Sequence, residues 1–126
     1  MKDAFELKRL GELYLEKGDY ETAAMLIRRA IDVEENLTPN SIALAEDLFN
    51  YGLLCSALGK RSEAQSSLLR AWKIERSVLG SMHPETLETF RTLSETYQEE
   101  QEENRVTAEF FYSGATQKVS GQPMKH

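Results

Sequence analysis

The sequence contains little of the chemistry that metal centres and disulfide frameworks require. Among 126 residues it has one cysteine, Cys55, and two histidines, His83 and His126. A single cysteine forms no internal disulfide and offers one thiolate, which excludes a disulfide-stapled fold and a cysteine zinc site. The sequence also lacks a pair of histidines at metal-ligand spacing, a catalytic motif that combines serine, histidine and an acid, and a glycine-rich loop for phosphate. We therefore expect no metal, no cofactor and no enzymatic activity.

Long apolar runs and an excess of positive charge are also missing. No apolar stretch approaches the roughly 20 residues that a membrane-spanning helix needs, and the N-terminal residues lack the pattern of a secretory signal. The formal net charge is -6, whereas nucleic acids and anionic membranes are bound through clustered lysines and arginines. We expect a cytoplasmic protein that inserts into no membrane, binds no nucleic acid and has a basic or neutral protein partner.

What the sequence does contain is an internal repeat. A shift of about 41 residues superposes similar segments, with these identities among others: Leu7 on Leu48, Gly11 on Gly52, Gly18 on Gly59, Ala23 on Ala64, Ala30 on Ala71 and Glu34 on Glu75. A shift of about 83 residues produces a third copy, which pairs Lys8 with Arg91. The third copy then slips by two residues, and the slip predicts a longer turn around Glu99 to Asn104.

Each copy has the pattern of two amphipathic helices, because its apolar residues recur at spacings of three and four. Gly18 and Gly59 interrupt the first two copies, where glycine ends a helix in the left-handed conformation. Pro84 suits the first turn of a later helix. We predict six helices and no strand in one domain over residues 1–118, with repeat units at 4–38, 41–79 and 84–117. Residues 119–126 are predicted to be a disordered tail.

Small residues recur where the two helices of a unit would meet. Gly11 and Gly52 lie on the first helices, and alanines such as Ala23 and Ala64 lie on the second. Such residues allow close helix approach while larger apolar side chains fill the remaining space. Cys55 falls at the position of a tyrosine in the other two copies, and a free cysteine packs as a small hydrophobe, so we expect it to be buried.

These residues resemble the tetratricopeptide repeat. The positions that carry the resemblance are Leu7, Leu10, Gly11, Tyr14, Ala23, Ile27 and Ala30, then Leu48, Tyr51, Gly52, Cys55, Ala64, Leu68 and Ala71. The long period and the segment from Leu79 to Thr86 resemble the kinesin light chain variety. The third copy departs from the pattern, since Gln101 or Asn104 replaces the turn glycine. The resemblance implies a right-handed α-solenoid of about three antiparallel helix pairs.

The resemblance also implies a concave groove, lined by the first helix of each pair, that binds a peptide or helix of a partner. Mapped onto this chain, it places the groove on Phe5, Lys8, Glu12, Leu15, Glu46, Phe49, Asn50, Leu53, Glu88, Arg91, Glu95 and Gln98. The glutamates among them argue against a receptor for C-terminal carboxylates. An apolar strip flanked by carboxylates instead predicts a basic, amphipathic partner segment.

Two interpretations of the function remain open. The first is a non-catalytic adaptor that binds a partner segment in the groove. The alternative is a structural subunit of a larger assembly or a homo-oligomer, packed through the groove or through a third-repeat end at Phe110, Phe111 and Tyr112. These aromatic residues suit a buried interface, because the free end of a solenoid normally carries a polar cap. The sequence also leaves open whether this chain is a piece of a longer repeat protein.

Overall fold

In a computed structural model, which describes residues 3–111 and 113, every regular element is helical. The helices are α1 (Ala4–Glu16), α2 (Tyr20–Leu37), α3 (Ile42–Ala57), α4 (Arg61–Leu79) and α5 (Pro84–Phe110). The expectation of an all-α fold is confirmed. The described residues form two compact bodies, the first ending at Ser94 and the second beginning at Glu95. In this part of the chain no helix is both long and apolar enough to cross a membrane.

Two left-handed glycines make the tight turns between paired helices. Gly18 has φ 82° and Gly59 has φ 80°, and an added Cβ would meet nothing within 4 Å at either position. The backbone conformation, rather than lack of space, therefore accounts for glycine at both turns. Helix α1 packs on α2 and α3 packs on α4, as the sequence predicted.

Side-chain caps define where three of the helices begin. Asp3 accepts the backbone N–H of the third residue beyond it at 2.9 Å, Asp19 does so at 3.2 Å and Ser41 at 3.0 Å. Each cap satisfies a backbone donor that the first helical turn leaves free, and each stabilises its helix by about 1 kcal/mol. Pro84 is the first residue of α5, where its missing N–H costs no hydrogen bond.

The paired helices approach each other closely at the predicted small residues. A Cβ on Gly11 would lie 3.0 Å from Cγ1 of Ile27, and one on Gly52 would lie 2.7 Å from Cγ of Leu68. Cys55 is fully buried, as expected, and so are the four alanines at the corresponding faces, Ala23, Ala30, Ala64 and Ala71. A larger side chain at Gly52 would require Leu68 or the helix backbone to shift, and the space at Gly11 is only slightly less restricted.

The third copy of the repeat differs from the prediction. We predicted a turn around Glu99 to Asn104 and a sixth helix, but α5 continues unbroken from Pro84 to Phe110. This helix has no glycine and no further proline, and its glutamates and arginines favour helix. Arg105 also forms ion pairs with Glu102 and Glu109, three and four residues away, and such pairs support a helix. The slip in the repeat therefore does not mark a turn.

The boundaries of the predicted third unit extend beyond the described residues. The range 84–117 and the domain limit at 118 stay predictions, and the tail predicted for 119–126 lies outside what the structure describes. Within the first compact body, α5 contacts α4 through the rings of Trp72 and Phe90, whose centroids lie 5.8 Å apart. The guanidinium of Arg76 lies over the Trp72 ring, 4.5 Å from its centroid.

Candidate partner-binding groove

Helices α1 and α3 border a cleft of about 460 Å³, called the first cleft here. The predicted groove residues that line it are Lys8, Glu12, Leu15, Asn50 and Leu53. They come from the first helices of two consecutive repeat units, so the structure brings together side chains about 40 residues apart in sequence. Side chains that were not predicted as groove residues complete the lining: Tyr20, Ile27, Asp47, Leu54 and Ala57.

A second cleft of about 280 Å³ lies between α3 and α5, with one lining residue from α4. Four of its lining residues were predicted: Glu46, Phe49, Asn50 and Glu88. The other three are Glu75, Glu85 and Thr89. Because Asn50 lines both clefts, the two form neighbouring parts of one surface along α3.

The Lys8 ammonium group is held between two carboxylates beside the first cleft. Its Nζ lies 3.2 Å from Oε2 of Glu34 and 3.1 Å from Oδ2 of Asp47. These three residues belong to α1, α2 and α3, so the ion triad ties the first repeat unit to the second. Lys8 lines the first cleft, but its charge is already balanced within the protein and is not a free anchor for an acidic ligand.

The triad shifts the pKa values of its members. Burial raises the pKa of Asp47 to about 7, and its hydrogen bond with Glu34 adds to this rise, while the interactions with Lys8 oppose it. Burial lowers the pKa of Lys8, but its hydrogen bonds and charge interactions with Asp47 and Glu34 outweigh that effect, so the pKa is raised overall. At neutral pH the Lys8 ammonium is therefore charged, and Asp47 is partly protonated.

The remaining predicted groove residues lie outside the linings of these two clefts. Phe5 is 65% exposed, and the guanidinium of Arg9 lies 5.9 Å from the centroid of its ring. Arg91 is exposed on α5 within the first compact body, while Glu95 and Gln98 are exposed in the second. Their membership of a groove stays a prediction.

The predicted end interface is described only in part. Phe110 and Phe111 are 69% and 59% exposed at the end of α5, and Tyr112 lies outside the described residues. Over residues 3–111 and 113, no group of histidine, cysteine, aspartate and glutamate side chains is arranged to hold a metal ion.

Asp47 and Glu75 are the site residues whose importance sequence reasoning missed. The groove was mapped from the first-helix positions that the resemblance implies, whereas Asp47 is on the buried face of α3 and Glu75 is on α4. A signal existed for Glu75, since the repeat superposes it on Glu34. A charged residue at equivalent positions in two units, on an otherwise apolar helix face, indicates a polar contact at the junction between units.

A comparison with protein families matches residues 3–74 to the family described as tetratricopeptide repeat, which is more than half of the chain. The matched segment contains α1, α2, α3 and most of α4, so it includes every lining residue of the first cleft. The kinesin light chain variety of the repeat is consistent with this family. A search of the curated proteins finds no match.

Proposed function

Because the chain belongs to the tetratricopeptide repeat family, whose members generally mediate protein–protein interactions, we propose that it is a non-catalytic adaptor that binds a partner segment along the first and second clefts. The observation that carries this proposal is the grouping of predicted groove residues into two neighbouring clefts that share Asn50. The first helices of consecutive repeat units thus present a joined surface rather than isolated side chains.

The two clefts differ in chemistry, and the difference suggests how the segment binds. The first cleft offers apolar surface from Leu15, Tyr20 and Leu53, the last two 47% and 43% exposed. The second cleft is rich in glutamate. An amphipathic, basic segment would place its apolar side chains in the first cleft, where burial supplies most of the affinity, and direct its positive charges to the second. The net charge of -6 favours the same kind of partner.

A peptide selection tests this proposal. Peptides selected on the purified protein from a random displayed library should be enriched in lysine or arginine next to large apolar residues. Leu53→Asp should weaken the best peptide at least about tenfold, as the loss of a buried apolar anchor does. Leu37→Asp is the matched control, because Leu37 is 73% exposed and lines neither cleft. Equal affinities of the two variants, measured by fluorescence anisotropy, would refute the groove assignment.

One observation favours the alternative function of a structural subunit. Val106, Phe110 and Phe111 are 50% to 69% exposed near the end of α5, and exposed apolar residues in a group often mark a protein interface. Light scattering over a concentration series tests self-association. A dimer of the native chain that becomes monomeric in Phe110→Ser would favour this function, whereas a monomer at every concentration would exclude the homo-oligomer.

A further inference from the structure

The repeat aligns two junctions between consecutive units. The first junction is formed by α1, α2 and α3, and the second by α3, α4 and α5. A shift of about 41 residues places Lys8 on Phe49 and Glu34 on Glu75, and a shift of about 42 residues between the second and third copies places Asp47 on Thr89. The ion triad of the first junction therefore has a counterpart in the second, in which a phenylalanine stands in the position of the lysine.

Glu75 is a buried carboxylate at the second junction. It is only 4% exposed, and its Oε1 is buried with no hydrogen-bond partner. The Thr89 hydroxyl donates a hydrogen bond to the carboxylate. At the first junction the equivalent Glu34 also has an Oε1 without a hydrogen-bond partner, but its Oε2 has the Lys8 ammonium 3.2 Å away, and this cation is the difference between the two junctions. The second junction therefore lacks the cation that the first junction has. A buried carboxylate without a cation lowers the stability of the folded state.

The surroundings of Glu75 increase this imbalance. Glu46, Glu85 and Glu88 line the same cleft, and no lysine or arginine appears among its described lining residues. Burial is the main cause of a raised pKa at Glu75, and the three neighbouring carboxylates raise it further, while Thr89 opposes the rise. The cleft therefore has a negative potential, because four carboxylates line it and no cation among its described lining residues offsets them.

We propose that the second cleft binds the ammonium or guanidinium group of a lysine or arginine side chain of the partner segment, with Glu75 as its main hydrogen-bond acceptor. This inference rests on the proposed adaptor function, and it assigns the positively charged group of the partner segment to the second cleft. The bound cation has the same relation to Glu75 that Lys8 has to Glu34. Phe49 suits such a ligand, because the aromatic ring in the cleft wall attracts a cation over its face.

A metal ion is a poorer fit than an organic cation. The four glutamates do not form a group arranged for metal coordination, as far as residues 3–111 and 113 show. A guanidinium or ammonium group needs no closed coordination shell, and it donates several hydrogen bonds to separate carboxylates. A cleft of about 280 Å³ accommodates such a head group together with the end of its aliphatic chain.

The test uses a small cationic probe and its neutral isostere. Nα-acetyl-arginine methylamide is titrated into the ¹⁵N-labelled full chain, in parallel with the citrulline analogue, and amide shifts are followed by NMR. We expect saturable shifts centred on Glu75 and Thr89 with the arginine probe and none with citrulline. Glu75→Gln should weaken the arginine probe by about tenfold, since it removes a charge-assisted hydrogen bond. The matched control is Glu16→Gln, an exposed position outside both clefts.

A second variant supplies the missing cation within the chain. Phe49→Lys copies the arrangement of the first junction, so its ammonium should occupy the cleft and reduce binding of the arginine probe by about tenfold or more. Phe49→Met controls for loss of the ring and should weaken the probe only a few fold, as expected for one cation–π contact. Thermal melting of each variant establishes that the helices remain folded.

The results separate this inference from the proposed function. Equal shifts with arginine and citrulline, or equal affinities of Glu75→Gln and Glu16→Gln, would overturn the cation site even if selected peptides still bind through Leu53. Conversely, arginine binding at Glu75 without any selected peptide would support the cation site and count against the adaptor function. Loss of arginine binding in Phe49→Lys with retention in Phe49→Met supports the inference, and retention in both contradicts it.

Discussion

The two junctions of this protein hold carboxylates at equivalent repeat positions in different electrostatic surroundings. At the first junction, Glu34 and Asp47 share the Lys8 ammonium at 3.2 and 3.1 Å. At the second junction, Glu75 has a hydroxyl for a partner and three more glutamates around it. The same position in the repeat is thus self-neutralised in one place and unbalanced in the other. The comparison teaches that the repeat pattern fixes where a carboxylate lies at each junction but not whether a cation accompanies it.

The largest expected effect comes from removing the cation of the first junction. Lys8→Met leaves Glu34 and Asp47 close together without a positive charge, and we expect it to lower the free energy of unfolding by about 2 kcal/mol at pH 8, less than for a fully buried pair because the Lys8 side chain is 31% exposed. Urea unfolding followed by circular dichroism measures this change. Lys17→Met is the control, since Lys17 is exposed at the end of α1. A loss no greater than that of the control would mean that the triad contributes nothing to stability.

At the second junction we expect removal of a charge to stabilise the protein instead of destabilising it. Glu75→Met replaces an unbalanced buried carboxylate by an apolar side chain of similar size, so we expect it to raise the free energy of unfolding by about 1.5 kcal/mol at pH 8. Thr89 then keeps an acceptor in the backbone carbonyl one turn earlier in α5. The same urea experiment applies. If Glu75→Met destabilises the protein as much as Lys8→Met does, the proposed contrast between the junctions is wrong.

The pH dependence of stability sharpens the contrast, because Asp47 has a pKa of about 7 when folded against a usual value of 3.8. Between these values the folded state holds a proton that the unfolded state has released, so this group's contribution to stability is lost as pH rises from about 4 to 7. Between pH 6 and pH 8 the free energy of unfolding of the unmodified protein should fall by about 1.4 kcal/mol more than that of the Asp47→Asn variant. Parallel pH profiles for the two proteins would contradict the raised pKa.

The smallest effect is expected at Thr86, which is fully buried on α5 and whose Oγ1 has no hydrogen-bond partner. Thr86→Val keeps the shape and removes the unsatisfied hydroxyl, so we expect a gain of about 1 kcal/mol in the free energy of unfolding. Thr92→Val is the matched control, because the Thr92 hydroxyl donates to the Glu88 carbonyl at 3.0 Å. Equal changes in the free energy of unfolding for Thr86→Val and Thr92→Val would indicate that the Thr86 hydroxyl is hydrogen-bonded in the folded protein.

Much of the fold was predictable because the first two repeat units carry strong local signals. Left-handed glycines at Gly18 and Gly59 set the hairpin turns, and small residues at Gly11 and Gly52 set the close helix contacts. The third unit lacked such signals, and its prediction as a helix pair rested on weak similarity alone. The absence of a turn glycine there, together with many helix-favouring glutamates, was better evidence for one continuous helix.

Part of the candidate site was predictable from the sequence, but its buried charged residues were not. Groove positions that the resemblance implies on the first helices, such as Leu15 and Leu53, line a common cleft, although their role in binding stays a prediction. Asp47 and Glu75 did not follow, because periodicity assigns charged side chains to solvent and carries no information on which charge finds a partner across a junction.

The sequence by itself determined the helical class, the first two helix pairs and their glycine turns. These features depend on contacts within a few turns of helix, and local chemistry is enough to encode them. The tertiary structure alone decided that Lys8 pairs with carboxylates 26 and 39 residues away, and that Glu75 is buried without such a cation. Burial and charge pairing depend on which helices become neighbours in space, and the sequence pattern of one helix does not contain that information.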